Sequence, residues 1–174
     1  MTMESQIQTL SYFSPLGKLQ ICYTPHGLQA ISFIKSSSKK NAGSKVSFKT
    51  NKACDRLGKK ILKSFDGYFE GKKKQIDLPI DWNAVSVTPF QQAVLKVMHQ
   101  IPYGQTCSYG ELAQAINRPR AFRAVGGVCH RNPLPLLIPC HRVIGKSGKL
   151  TGFAWGLKSK SWLIELESSI RQTH

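Results

Sequence analysis

Apolar and polar positions alternate in three short runs near the start of the chain. Ile7–Phe13, Leu19–Thr24 and Leu28–Ile34 are rich in β-branched and aromatic residues. Ser14-Pro15-Leu16-Gly17 and Pro25-His26-Gly27 separate them. This pattern predicts an antiparallel meander with tight turns. Ala53, Leu57, Ile61, Phe65 and Phe69 then recur every four residues, with Leu62 widening the stripe. That spacing predicts an amphipathic helix laid on the sheet, ended at Gly71. Residues 1–86 thus read as a small α+β domain, with 77–87 as the connection to a second domain, 87–174.

The second domain reads as mostly helical. Thr88-Pro89-Phe90-Gln91 has the form of a capping box with proline at the first helical position. Phe90, Val94, Val97, Met98 and Ile101 follow at helical spacing, and Pro102-Tyr103-Gly104 stops the run. A second capping box, Ser108-Tyr109-Gly110-Glu111, opens a short helix through Ile116. Asn117-Arg118-Pro119 makes a turn, and a further helix runs from Arg120 to about Cys129, with Phe122, Val125 and Val128 facing inward. Two short helices joined this way fit either a helix-turn-helix or an ordinary helical hairpin. The second offers Ala121, Ala124, Gly126 and Gly127 rather than amide side chains that read base edges. Leu134–Ile138 is an apolar run that requires burial. A last helix from about Ser159 is expected to bury Trp162, Leu163, Leu166 and Ile170.

Charge adds a partner class. The 174 residues carry 25 Lys+Arg against 9 Asp+Glu, a net charge of +16. A polyanion such as nucleic acid is the simplest counterpart; a solubility surface or an anionic membrane are the alternatives. Residues 35–74 hold +10 of the excess and residues 75–174 hold +6. The lysine-rich stretch from Lys35 to Lys49 reads as a mobile surface loop. With 41% hydrophobic and 20% charged residues the composition is that of a globular protein. No apolar run has the length of a membrane span, and the first residues lack the form of a signal peptide, so a cytoplasmic protein is expected.

The five cysteines, Cys22, Cys54, Cys107, Cys129 and Cys140, show no C-x-x-C spacing. A disulfide framework is not expected, a reducing compartment fits, and most of them should be small buried hydrophobes. Cys22 and His26 lack the other half of a metal site, so neither metal nor other cofactor is expected. Cys140-His141 offers a thiol beside a base, and Arg142 adds a positive charge that favours the thiolate. The same dipeptide also fits a structural cysteine beside an unrelated histidine. In a strand the two side chains would point apart, so contact requires a turn or a bridging water.

The surroundings of that dipeptide are specific. Ile138-Pro139-Cys140-His141-Arg142-Val143 resembles the active-site signature of the O6-alkylguanine-DNA alkyltransferases, the DNA repair methyltransferases. Thr88-Pro89-Phe90-Gln91, Ile101-Pro102-Tyr103-Gly104, Ser108-Tyr109-Gly110-Glu111-Leu112-Ala113, Arg123-Ala124-Val125-Gly126-Gly127 and Asn132-Pro133 resemble that family in order, as does Ser14-Pro15-Leu16-Gly17. The resemblance is dense in the C-terminal half and looser in the N-terminal half. It implies an α+β protein: a ribonuclease H-like N-terminal sheet with a helix, and a C-terminal domain with a winged helix-turn-helix.

The resemblance also implies roles. Cys140 would accept an alkyl group from O6 of guanine, or O4 of thymine, in double-stranded DNA, once per protein chain. His141 would take the thiol proton through a water, Glu167 would orient His141, and Asn132 would belong to the same network. Tyr109 would help rotate the 3′ phosphate and donate to guanine N3. Arg123 would fill the stack vacated by an extruded nucleotide. Arg120, Ala124, Gly126 and Gly127 would lie on the DNA, in the minor groove. The carbonyls of Cys140 and Val143, the N–H of Ala154, and the walls Pro135 and Phe153 would form the base pocket. A monomer is implied. Alkyltransferase-like proteins, which sense lesions without chemistry, carry another residue at the reactive position, so Cys140 favours the enzyme. A helix-turn-helix regulator would need base-reading side chains, and a cysteine hydrolase an oxyanion hole and turnover.

Overall fold

A computed structural model describes residues 7–34 and 55–169. The chain divides into two compact units, Met1–Ser86 and Val87–His174. In the first, β1 (Gln8–Ser14), β2 (Gly17–Thr24) and β3 (Gly27–Ile34) form an antiparallel sheet in the order β1-β2-β3. Leu10 and Tyr12 of β1 and Leu19, Ile21 and Tyr23 of β2 alternate into the core. In β3 the alternation slips: Leu28 and Ile31 are both buried because the pairing shifts between Cys22↔Ala30 and Tyr23↔Leu28, a bulge that leaves Gln29 over.

Helix α1 (Arg56–Phe69) begins one turn after the stripe read from Ala53. Asp55 caps it, accepting from Gly58 N at 2.7 Å, and also accepts from the Tyr23 hydroxyl at 3.2 Å. Ala53, Cys54 and the Lys35–Lys49 stretch lie outside the described residues. Ile61, Phe65 and Tyr68 form the buried face, and the Tyr12 ring meets Phe65 with centroids 5.4 Å apart. Gly71, at φ 71°, ends the helix in the left-handed conformation.

The second unit contains α2 (Pro89–His99), β4 (Cys107–Ser108), α3 (Tyr109–Ala115), α4 (Phe122–His130), β5 (Val143–Ile144) and α5 (Leu157–Ser169). Both capping boxes form, at Thr88/Gln91 and Ser108/Glu111. β4 pairs in parallel with β5, setting Cys107 opposite Val143 and Ser108 opposite Ile144. This short pairing ties the start of α3 to the segment just after Cys140.

Three expectations change here. A 3₁₀ turn, Pro119–Ala121, precedes α4, so Arg120 lies before the helix rather than in it. Phe122 is exposed rather than inward, because the buried face of α4 is set by Val125, Val128 and Cys129. In α5 the buried residues are Lys160, Leu163 and Glu167. Trp162 and Leu166 are only half-buried, and Ile170 lies outside the described residues. Two polar side chains take the inner face of α5 because each finds buried partners there. Of the four described cysteines, Cys129 and Cys140 are buried and Cys22 and Cys107 are half-buried.

Candidate active site

The segment 132–143 is folded by its own polar and proline residues. Asn132 Oδ1 accepts from Leu134 N at 3.0 Å, and its Nδ2 donates to Ile138 O at 2.7 Å. One side chain therefore closes both ends of the apolar loop Leu134–Ile138. Leu136 sits at φ 74°, a region costly for a residue with a Cβ. It is held there by burial of the loop's leucines and isoleucine. Pro139, at φ −81° and ψ 67°, makes an inverse γ-turn in which Cys140 N donates to Ile138 O at 2.8 Å. A 3₁₀ turn over Cys140–Arg142 follows. The Cys-His pair is thus on a turn, not in a strand.

His141 is fully buried, and its Nε2 lies 2.8 Å from Glu167 Oε1. Its Nδ1 is buried with no hydrogen-bond partner among the described residues. Burial holds the imidazole pKa below its ordinary value against the pull of Glu167. The neutral ring then donates from Nε2 to the carboxylate and keeps Nδ1 as a free acceptor. That tautomer follows from the hydrogen bonding around Glu167.

Glu167 is itself over-bonded. Arg142 forks onto it, Nε to Oε2 at 2.8 Å and Nη2 to Oε1 at 2.9 Å, and Gly104 N donates to Oε2 at 3.1 Å. Burial alone would raise its pKa, but the bonds from His141 and Arg142 outweigh that and bring it down to about 2. The third guanidinium nitrogen, Nη1, donates to Ile101 O at 2.6 Å, and the guanidinium lies 5.7 Å from the centre of the Tyr103 ring. Ile101-Pro102-Tyr103-Gly104 is therefore the cradle of the Arg142–Glu167 pair. This corrects the expectation for Arg142: its charge is neutralised by Glu167 rather than aimed at the thiol.

The cation that acts on Cys140 is Lys160, which the apolar pattern of α5 concealed. It is 0% exposed. Its Nζ donates to Val143 O at 2.6 Å and to Thr151 O at 2.7 Å. Burial of Cys140 raises its thiol pKa, the Asn132 side chain and then Lys160 lower it in part, and the result is about 11. Cys129, buried against Met98 at 3.7 Å, is pushed by burial to about 12. The signal available in the sequence was the spacing of Lys160, Leu163 and Glu167, which puts them on one helix face.

Tyr109 is the first residue of α3, and its hydroxyl donates to Thr151 O at 3.3 Å while Thr151 Oγ1 lies equally close. Thr151, also missed, thus joins Tyr109 to Lys160. Phe153 is buried, edge-on to His141 with centroids 6.5 Å apart. Pro135 and Val143 are buried nearby in sequence, and Ala154 is exposed. Arg120, Arg123 and Ala124 are exposed, and Gly126 and Gly127 half-exposed, on one side of α4 and its preceding turn. A Cβ on Gly126 would meet Tyr109 at 3.8 Å, an ordinary contact, so internal packing does not demand glycine there. Among the described residues no group of three or more His, Cys, Asp or Glu side chains could hold a metal.

Known proteins match both units. Residues 9–82 match the family model for the ribonuclease-like domain of 6-O-methylguanine DNA methyltransferase, and residues 89–169 match the model for its DNA binding domain. A methylated-DNA–protein-cysteine methyltransferase of Methanosarcina barkeri is 40% identical over 156 residues, covering 90% of this chain and 94% of that protein. One from Haemophilus influenzae is 38% identical, covering 90% of this chain and 83% of its own. A Mycobacterium tuberculosis OGT crystallised in complex with DNA superposes with a TM-score of 0.76 at 36% identity, covering 92% of each chain. With a thiol, a tautomer-fixed histidine and a buried carboxylate in one unit, and family models matching both units, this chain belongs to the 6-O-methylguanine DNA methyltransferase family.

Proposed function

We propose that this chain repairs double-stranded DNA by moving a methyl or other alkyl group from O6 of guanine, and from O4 of thymine, onto Sγ of Cys140. The observation that carries the reading is the state of His141. Glu167 holds Nε2 as donor and leaves Nδ1 as a base beside the turn that bears the thiol. With its pKa at about 11, Cys140 is ionised in only about one molecule in 10⁴ at neutral pH, so attack needs proton removal. His141 Nδ1 takes that proton through a water, and Glu167 stabilises the imidazolium that forms.

Sulfur attacks the alkyl carbon in line with the C–O6 bond. The S–C bond forms as the C–O bond breaks, the electron pair goes to guanine, and the thiol proton, first taken by His141, ends on the restored guanine. Tyr109 donates toward N3 as guanine leaves. The carbonyl of Val143 already accepts from Lys160, and its second lone pair remains for the exocyclic amine. The Cys140 carbonyl accepts from the same amine, Ala154 N–H faces O6, and Pro135 and Phe153 wall the pocket. Asn132 keeps the loop in register. The product thioether does not hydrolyse, so one chain repairs one lesion without a cofactor.

The target atom is stacked inside the duplex, so the nucleotide must be extruded. Arg123 fills the gap, Arg120 meets phosphate, and the small residues Ala124, Gly126 and Gly127 let α4 lie in the minor groove. We read the chain as a monomer acting on DNA in the cytoplasm. No described helix is long and apolar enough to cross a membrane.

Incubation with duplex carrying labelled O6-methylguanine tests this directly. The expected result is about one label per chain. The label is lost in Cys140→Ala, while DNA binding survives. Turnover, or label on another residue, overturns the reading.

A further inference from the structure

Phe122 is an exception on its surface. Apart from Arg123 and His130 the outward residues of α4 are small, Ala124, Gly126 and Gly127, yet the apolar Phe122 opens the helix 48% exposed. The other large apolar residues of α4, Val125 and Val128, are at most 4% exposed. The surroundings suit a polyanion. Arg118, Arg120 and Arg123 are exposed within four residues of Phe122 in the chain, and no Asp or Glu occurs between Glu111 and Glu165. The N-terminus of α4 has no side-chain cap. The guanidinium of Arg123 lies 5.8 Å from the centre of the Phe122 ring, within cation–π range.

We infer that Phe122 is a second intruding side chain of the DNA interface. In the free protein its ring is the resting place of the Arg123 guanidinium. When Arg123 enters the stack the ring is uncovered, and it then lies in the minor groove against the base step beside the extruded nucleotide. Apolar side chains at such steps unstack and wedge the duplex. The exchange is balanced, because the ring gives up a cation and gains a base, and the exposed ring area is buried only on DNA. The inference rests on the reading of Arg123 as the residue that fills the gap.

The test compares wild type, Phe122→Ala, Phe122→Leu and Arg123→Ala. Two substrates are used: O6-methylguanine in duplex and free O6-benzylguanine. Phe122→Ala is expected to slow transfer from the duplex about five- to tenfold, with the free-base rate kept within about twofold as the check on folding. Phe122→Leu should recover most of the loss, since a wedge needs bulk rather than charge. In the Cys140→Ala background, 2-aminopurine placed in the pair beside the lesion should respond to binding, and the response should be lost when Phe122 is also alanine. Duplex repair by Phe122→Ala at or above the wild-type rate, with Arg123→Ala impaired, overturns this inference alone. Duplex repair unimpaired in Arg123→Ala overturns the gap-filling reading beneath it as well.

Discussion

Replacing Glu167 by Gln removes one charge and almost no volume from a carboxylate that is 1% exposed. In the wild type that charge accepts from His141 Nε2, from two nitrogens of Arg142 and from Gly104 N. Its pKa falls from 4.5 to about 2, which corresponds to about 3 kcal/mol of native-state stability. A folded pKa below the unfolded one means the contribution is complete above the unfolded value and is lost as pH falls through the folded one. The Gln variant should therefore be less stable by about 3 kcal/mol near neutral pH, in line with the cost of breaking a buried ion pair. The gap should narrow to about half of that near pH 3. Transfer to Cys140 should also slow on the order of 100-fold, because the imidazolium loses its counter-charge and the tautomer is no longer fixed. Chemical denaturation across that pH range and single-turnover transfer from a labelled oligonucleotide measure the two effects. A stability gap that is the same at both ends of the range, or a wild-type rate in the variant, would refute the argument.

Other consequences follow from the same geometry. Lys160→Met keeps the stem but takes the Lys160 donor from the Val143 carbonyl, at a cost of about 1–3 kcal/mol, and leaves the Thr151 carbonyl with the Tyr109 hydroxyl. It also raises the Cys140 pKa, so the pH–rate curve with free O6-benzylguanine should move to higher pH, with about a tenfold slower reaction near neutrality. An unmoved curve would show that Lys160 only supports the loop. Gly27→Ala would place a Cβ 2.6 Å from Pro79 O at a backbone φ of +152°. Leu28 N next to it donates to Pro79 O at 2.8 Å, and Leu28 bridges to Ile80 in parallel. Denaturation should show a loss of about 2 kcal/mol or more, and a stable variant would refute that close approach. Asn132→Ala should lower stability by about 1–3 kcal/mol and slow transfer on duplex and free base alike, since the loop that presents Cys140 loses both of its ties.

Local signals carried most of the elements. The capping boxes at Thr88 and Ser108, the stop at Gly71 and the alternation in β1 and β2 each act within four or five residues, so the residues that encode them lie together in the chain. Helical spacing admits several inward faces for α4, and only its neighbours select the one that leaves Phe122 exposed. Trp162 and Leu166 depart from the apolar pattern for the opposite reason. Apolar side chains normally win the inner face of a helix, but Lys160 and Glu167 were taken inside by partners on other segments.

By itself the sequence determined which groups were available: a thiol beside an imidazole, a proline before them, an asparagine eight residues upstream and an acid-free stretch suited to DNA. Tertiary structure decided what each group does. The Pro139 turn brings Cys140 and His141 onto one bend, and α5 delivers both the carboxylate that fixes the imidazole and the lysine that acts on the thiol. It also moved Arg142 from the thiol to Glu167. Electrostatic effect depends on distance and burial, and neither is a property of sequence separation: Glu167 lies 26 residues from His141 and 2.8 Å from its ring.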